Sequence, residues 1–162
     1  MPRVAIALGS NLGDRRAHLA WAVEQLDALL GDLRVSSVVE TEPQDVPDAQ
    51  PPYLNAVVTG ETDADPADLL RTLHALEAAQ GRRRPSFRAP RTLDLDLILF
   101  GDQILRAPEL ELPHPRFRER AFVLGPLAEL APDWVDPVTG KTVAELRAAL
   151  ADGPPGEGGA TD

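Results

Sequence analysis

Residues 91–100 read Arg-Thr-Leu-Asp-Leu-Asp-Leu-Ile-Leu-Phe, and the alternation within them indicates how the chain is arranged around them. A residue of one kind at every second position is typical of a β-strand, because successive side chains of a strand point to opposite faces. One face would carry Leu93, Leu95, Leu97 and Leu99, and the other Asp94, Asp96, Ile98 and Phe100. The strand rise then places the two carboxylates roughly 6–7 Å apart on the same face.

The two aspartates need a partner, because an isolated charge in apolar surroundings is strongly penalised. Residues 82–91, immediately upstream, contain five arginines. Carboxylate oxygens bind Mg²⁺, and guanidinium groups bind phosphate oxygens. The stretch therefore predicts a site for Mg²⁺ and a polyphosphate. The residues alone also leave open a solvated strand face beside surface arginines.

Length and composition limit the classes of protein to which the chain can belong. Its 162 residues fit one domain with a single core. It has no cysteine, so disulfides and thiolate metal sites are excluded. The first apolar run, residues 4–8, is too short for a signal peptide or a membrane span. We expect a cytoplasmic protein that does not bind membranes.

Charge is distributed unevenly along the chain. The formal net charge is −10, which argues against binding to nucleic acid. Nine arginines nevertheless lie between positions 82 and 120, whereas Asp and Glu dominate residues 40–68. Local positive charge in an acidic protein favours a small anionic ligand that is held at a defined place.

The order of predicted elements indicates an α+β fold. In sequence they are a strand over 4–8, a helix over 15–30 capped by Asp14, strands over 33–39 and 53–59, a helix from Asp65 to Gly81 and the strand with the two aspartates. A shorter helix is expected near 125–130, and a last helix begins with the capping box Thr142–Glu145. This order predicts a ferredoxin-like sandwich, in which helices cover one face of an antiparallel sheet. The open face would carry the site, with Asp94 and Asp96 in the central part of the sheet.

Four motifs occur in the order and spacing of one known family: Gly9-Ser10-Asn11-Leu12-Gly13, Tyr53-Leu54-Asn55-Ala56, Ala89-Pro90-Arg91-Thr92-Leu93-Asp94-Leu95-Asp96 and Pro113-His114-Pro115. With these motifs the chain closely resembles the hydroxymethyl-dihydropterin pyrophosphokinases of folate biosynthesis. The resemblance implies transfer of pyrophosphate from ATP to the hydroxymethyl group of 6-hydroxymethyl-7,8-dihydropterin, which gives AMP and the pterin diphosphate. It also implies one pyrophosphokinase domain over residues 1–151. For residues 152–162, rich in Gly and Pro, we expect a disordered tail.

The resemblance also implies roles for individual residues. Asp94 and Asp96 would hold two Mg²⁺ ions and, with Arg82 and Arg91, would be catalytic. ATP would be bound by His74, Glu77, Arg82, Arg91, Leu97, His114 and Arg120. The pterin would be bound by Thr41, Pro43, Tyr53, Asn55 and Phe122. ATP and the pterin would be the partners, and we expect a monomer.

The sequence leaves two alternative functions open. A ferredoxin-like nucleic-acid-binding module would need aromatic residues flanked by Lys or Arg on its strands, where this chain has two aspartates. A relative that binds pterin or nucleotide without catalysis is not excluded by any residue. An assay for pterin-dependent release of AMP distinguishes it.

Overall fold

The computed structural model describes residues 1–41, 52–80 and 93–151. The elements in chain order are β1 (Arg3–Ser10), α1 (Arg15–Leu29), β2 (Gly31–Val35), β3 (Val39–Thr41), β4 (Tyr53–Glu61), α2 (Pro66–Ala79), β5 (Asp94–Phe100), β6 (Leu105–Ala107), β7 (Leu110–Leu112), a 3₁₀ turn (Phe117–Glu119), α3 (Ala121–Leu130) and α4 (Val143–Ala151). No helix in these three ranges is long and apolar enough to cross a membrane.

The main sheet has the strand order β2-β4-β1-β5, and β3 also pairs with β4. Every pairing in it is antiparallel. This order and the two helical crossovers confirm the predicted α+β, ferredoxin-like fold. The central placement of the aspartates is wrong, because β5 lies at the end of the strand order. Its outer edge is met by the chain that follows β7, where the His114 N–H donates to the Ile98 carbonyl oxygen at 2.9 Å.

A β-bulge in β5 changes which side chains share a face. Ala5 pairs with Leu99 and Ile6 pairs with Leu97, so Ile98 is an extra residue opposite β1. The strict alternation predicted from the sequence holds as far as Ile98 and is wrong for Leu99 and Phe100, because a bulge moves the side chains beyond it to the other face. Asp94 and Asp96 precede the bulge, and their shared face is kept.

The two faces of the sheet carry separate apolar cores. The first contains the buried apolar residues of α1 and α2 together with Leu93, which precedes β5, and Leu95, Leu97 and Phe100 of β5. The second contains buried residues of α3 and α4 with Ala5, Val57, Ile98 and Leu99 of the sheet. The face opposite α1 and α2 is thus covered at one end by α3 and α4. Its open part lies at the other end of β1, around Gly9.

The helix starts follow the predicted capping residues. The Asp14 carboxylate accepts the Ala17 N–H at 3.1 Å at the start of α1, and Asp65 accepts the Asp68 N–H at 2.8 Å at the start of α2. In the capping box before α4, Thr142 and Glu145 each accept the other's backbone N–H. These bonds satisfy donors that the first helical turn leaves without an intrahelical partner.

Three other predictions differ from the structure. Residues 33–39 do not form one strand, since β2 ends at Val35 and β3 begins at Val39. Between them the Ser36 hydroxyl accepts the Val57 N–H at 2.9 Å, in place of a backbone carbonyl. The hairpin β6–β7 falls in a segment predicted to be irregular, and α3 begins at residue 121, four residues before the predicted start.

Candidate active site

On the open face of the sheet, Gly9 and Ala7 of β1 form a narrow floor. Polar side chains of β4 lie on one side of it, and polar side chains of β5 lie on the other. In the register, Gly9 is paired with Asn55 on one side and with Asp94 on the other, and Ala7 with Val57 and Asp96. Since adjacent strands are about 4.7–4.9 Å apart, β4 and β5 are separated by roughly 10 Å. A Cβ added at Gly9 would lie 3.2 Å from Asn55 Oδ1. The small residues of β1 therefore keep the space between the two polar sides open.

The β5 side of this floor borders a cavity of about 310 Å³. Helix α2 and the β6–β7 turn form its other walls. Six of the residues predicted to bind ATP or metal line it: His74, Glu77, Asp94, Asp96, Leu97 and His114. The structure thus brings together side chains from α2, β5 and the segment after β7, which are far apart in the sequence.

Glu77 fixes the strand that carries the aspartates. Its side chain is only 2% exposed, and its Oε2 accepts the Leu95 N–H at 2.7 Å. Leu95 lies between Asp94 and Asp96, on the edge strand. The bond therefore satisfies an edge N–H and ties α2 to the two-aspartate segment.

Asp94 and Asp96 suit a hard divalent cation. Both side chains are half-buried and line the same cavity. Mg²⁺ prefers oxygen ligands and is usually bound by one or two carboxylates together with substrate phosphates and water. Among the described residues, no three or more His, Cys, Asp or Glu side chains are grouped so that they could hold one metal ion by themselves. The donor set fits an ion that takes its remaining ligands from a phosphate substrate and water.

His114 is held as a neutral imidazole at the edge of the cavity. Burial, followed by the positive charge of Arg120, lowers its pKa to about 4, although the Asp94 carboxylate acts in the opposite direction. The Arg116 N–H donates to Nδ1 of His114 at 3.1 Å. This bond assigns the proton of the neutral ring to Nε2. His114 can then donate a hydrogen bond to an anionic oxygen without carrying charge.

The β4 side has a different chemistry, with amide, hydroxyl and aromatic groups. Asn55 Nδ2 donates to Thr41 Oγ1 at 2.8 Å, and Thr41 pairs with Tyr53 in the sheet. This bond leaves Asn55 Oδ1 facing the floor at Gly9. Phe122 and Thr41 line a second cavity, of about 510 Å³, between β3 and α3.

Arg120 lies between the two sides. It immediately precedes α3, and its guanidinium carbon is 5.7 Å from the centre of the Phe122 ring. Its charge also acts on His114 at the β5 cavity. Arg120 can therefore contact a ligand that extends from one side to the other.

Three predicted site residues, Pro43, Arg82 and Arg91, lie outside the described residues. Two parts of the site were not predicted from the sequence: Ala7 as part of the floor, and the β6–β7 turn as a wall of the cavity. The glycine-containing motif at 9–13 was a signal for Gly9, but no sequence signal distinguishes Ala7 from a core alanine.

Two curated relatives are similar in sequence to this chain over most of their own length. A protein of Synechocystis, 2-amino-4-hydroxy-6-hydroxymethyldihydropteridine pyrophosphokinase, is 44% identical over 144 residues, which are 87% of this chain and 72% of that protein. The Pseudomonas aeruginosa protein of the same name is 44% identical over 149 residues, which are 91% of each chain.

The fold recurs in solved structures of larger proteins. A crystal structure of Plasmodium falciparum HPPK-DHPS A437G with SDX-DHP matches with a TM-score of 0.73 at 14% identity and covers 93% of this chain. This chain spans 46% of that one, so the likeness concerns the fold of one part of it. The family model for 7,8-dihydro-6-hydroxymethylpterin-pyrophosphokinase (HPPK) matches residues 5–132. With that match, and with the polar groups of the open face arranged on either side of Gly9, the chain belongs to the 7,8-dihydro-6-hydroxymethylpterin-pyrophosphokinase family.

Proposed function

We propose that ATP binds on the β5 side of the open sheet face and the pterin on the β4 side, so that the pyrophosphoryl group is transferred above Gly9. The observation that supports this most is the register that places Asn55 and Asp94 on either side of one glycine. The β5 side has a polar cavity that fits Mg²⁺ and phosphate, and the β4 side has an amide and aromatic rings. The two strands that carry these sides are roughly 10 Å apart. ATP with Mg²⁺ would match the groups of the β5 side, and the pterin would match those of the β4 side.

The reaction is transfer of the pyrophosphoryl group of ATP to hydroxymethyl-dihydropterin in folate synthesis. The hydroxymethyl oxygen forms a bond to the β-phosphorus of ATP. The bond from that phosphorus to the oxygen it shares with the α-phosphate breaks, AMP leaves, and the hydroxyl proton is released. Such a transfer depends mainly on positioning and on neutralising phosphate charge, since the protein needs to supply little covalent chemistry.

On the β5 side, the chain's own groups would orient the triphosphate. Asp94 and Asp96 would hold Mg²⁺, which offsets phosphate charge when it is bound. The Nε2–H of neutral His114 would donate to a phosphate oxygen, and Arg120 would add a fixed positive charge. Glu77, which is hydrogen-bonded to Leu95, keeps the segment between the aspartates in place. His74 and Leu97 would form the nucleotide side of the cavity.

On the β4 side, the flat pterin ring would lie against the aromatic rings of Tyr53 and Phe122. Asn55 Oδ1 would accept a hydrogen bond from the ring's amino or imino N–H groups. Because Asn55 Nδ2 already donates to Thr41 Oγ1, the amide is held in the orientation that presents this oxygen. Pro43, which lies outside the described residues, stays a predicted pterin contact.

Arg82 and Arg91 stay predicted catalytic residues, which would add positive charge to the triphosphate during transfer. One catalytic unit over residues 1–151 and a monomeric state are parts of the same proposal. Light scattering of the purified chain tests the monomeric state, and a dimer would contradict it.

The test of the function is an assay of nucleotide products with the purified protein, ATP, Mg²⁺ and 6-hydroxymethyl-7,8-dihydropterin. We expect AMP and the pterin diphosphate in equal amounts, and no AMP when either the pterin or Mg²⁺ is omitted. ADP as the product, or no product that depends on the pterin, would contradict the proposal. The latter result would identify a binding protein without catalysis.

A further inference from the structure

Asp136 is a buried carboxylate outside the site, and it accepts hydrogen bonds from Arg118, Val138 and Thr139. It is 0% exposed. Arg118 binds it in a bidentate manner, with Nε at 2.6 Å from Oδ2 and Nη2 at 3.0 Å from Oδ1. The Val138 N–H and the Thr139 hydroxyl donate to it at 3.0 and 2.8 Å. Burial acts to raise the pKa of Asp136, but the hydrogen bonds of Arg118, Thr139 and Val138 outweigh it and lower the pKa.

Arg118 lies in the middle of the segment that carries two predicted ATP contacts. The Phe117 N–H donates to the His114 carbonyl, and the Arg120 N–H donates to the Phe117 carbonyl, each at 3.3 Å. The Phe117 ring is fully buried in the second core, and the Arg118 guanidinium lies 4.9 Å from its centre. The segment 114–120 is thus a short, tightly turned connection, with His114 at one end and Arg120 at the other.

The loop that provides Asp136 is itself well fixed. The Asp136 N–H donates to the Lys141 carbonyl, and the Gly140 N–H donates to the Asp136 carbonyl, each at 2.8 Å. The Val143 N–H at the start of α4 donates to the Trp134 carbonyl, also at 2.8 Å. The family model's match ends at residue 132, so Asp136 lies beyond the part of the chain it describes. A rigid loop from the end of the fold therefore fixes the middle of the segment 114–120.

We propose that Asp136 is a positioning residue which, by holding Arg118, keeps the segment 114–120 in the conformation that presents His114 and Arg120 to the phosphates of ATP. This inference rests on the proposed function, which places ATP on that side of the sheet. The ends of the segment have their own anchors, since the His114 N–H is bound to Ile98 and the Arg120 carbonyl accepts the N–H groups of Val123 and Leu124. Between them, the buried Phe117 ring and the Arg118–Asp136 pair hold the segment, and of the two only the pair ties it to the loop before α4 by hydrogen bonds.

A purely stabilising pair would behave differently. A buried ion pair is weak evidence for net stability, because the cost of removing both charges from water offsets much of their attraction. Replacing both partners by apolar residues of similar volume often leaves stability unchanged. If the pair serves stability alone, such a double replacement should leave ATP binding unchanged. If the pair positions the segment, ATP binding should weaken even in a variant that is as stable as the parent.

The experiment compares three variants of the full chain: Asp136→Asn, the double variant Arg118→Met with Asp136→Leu, and the control Thr142→Ala. Thr142→Ala removes the cap of α4, in the same part of the fold, but leaves Arg118 and Asp136 in place. Thermal unfolding reports stability, and titration calorimetry reports binding of a nonhydrolysable ATP analogue with Mg²⁺. Steady-state rates give KM for ATP and for the pterin separately.

We expect the dissociation constant of the analogue and KM for ATP to rise about tenfold in Asp136→Asn and in the double variant. We expect KM for the pterin to stay within twofold. Thr142→Ala should lose stability and keep the ATP affinity of the parent. Wild-type affinity for the analogue in a folded double variant would overturn the inference, as would an equal loss of ATP affinity in Thr142→Ala. Failure of the proposed function is recognised separately, because the unmodified chain would then release no pterin-dependent AMP.

Discussion

The two sides of the open sheet face lie on either side of the same glycine but differ in their chemistry. On the β5 side, Asp94, Asp96 and His114 surround a polar cavity. On the β4 side, Asn55 is held by Thr41, beside the aromatic ring of Tyr53. Charge and hydrogen-bond donors suit a metal-bound triphosphate, whereas a flat surface with an amide oxygen suits a heterocycle. The comparison teaches that two sides of unlike chemistry can face each other across β1 because, on this face, β1 carries only the small residues Ala5, Ala7 and Gly9 between them.

The largest effect is expected from the β5 side. Asp94→Asn and Asp96→Asn should each reduce the rate of AMP release by at least about 10²–10³-fold, as is typical when a group that stabilises transition-state charge is lost. Both variants should stay folded by circular dichroism. Asp102→Asn, which changes an exposed carboxylate just beyond the same strand, is the control and should keep the full rate. A near-normal rate in either site variant would remove the metal-binding role.

A smaller and more selective effect is expected from the β4 side. Asn55→Leu keeps the approximate size of the side chain but removes its hydrogen bonds, so KM for the pterin should rise by about 10–100-fold, or about 1–3 kcal/mol. KM for ATP should change little. Thr41→Val removes the hydrogen-bond partner of Asn55 Nδ2 and should have a weaker effect of the same kind. Equal losses for both substrates in Asn55→Leu would contradict the division into two sides.

The pKa of His114 leads to a prediction about pH. The folded value of about 4 lies below the ordinary value of 6.5, so the unfolded chain takes up a proton first as the pH falls. The free energy of unfolding should therefore decrease between pH 6.5 and 4 by about 1–3 kcal/mol from this group. His114→Gln should lose less stability over that range in urea unfolding experiments. An identical pH dependence in both proteins would show that burial does not keep this histidine neutral.

The smallest effect is expected at the floor. In Gly9→Ala the added Cβ would approach Asn55 Oδ1 at 3.2 Å and Tyr53 Cδ1 at 3.6 Å, so the amide must shift by a few tenths of an ångström. KM for the pterin should rise by about three- to tenfold, or about 1 kcal/mol, with KM for ATP unchanged. Gly31→Ala, where the nearest atom to an added Cβ is 3.9 Å away and which lies outside both cavities, is a matched control and should leave KM for both substrates unchanged. A Gly9→Ala variant with wild-type KM for the pterin would show that the floor does not limit the β4 side.

The pattern of the sequence predicted the fold class because the alternation in β5 and the helix caps are local signals. Asp14, Asp65 and Thr142 cap their helices as expected. The bulge at Ile98 gave no such signal, since an apolar run looks the same with or without an extra residue. The edge position of β5 also depends on pairing between distant strands, which no single segment determines.

The candidate site shows the same division between local and tertiary information. The pair of aspartates and the histidine were visible as motifs, and the structure brings them to one cavity with His74 and Glu77. The hydrogen bond from Leu95 to Glu77 joins residues 18 positions apart, and the hydrogen bond from Arg118 to Asp136 also spans 18 positions. Both depend on the packing of elements against one another, so the sequence indicated Glu77 as a site residue but neither of these two bonds.

The most direct test is a crystal structure of the protein with Mg²⁺, a nonhydrolysable ATP analogue and 6-hydroxymethyl-7,8-dihydropterin. We predict that the triphosphate and Mg²⁺ contact Asp94, Asp96 and His114, that the ring lies against Tyr53 and Asn55, and that the hydroxymethyl oxygen faces the β-phosphorus above Gly9. A triphosphate bound on the β4 side, or aspartates that contact neither Mg²⁺ nor the nucleotide, would contradict the division of the site.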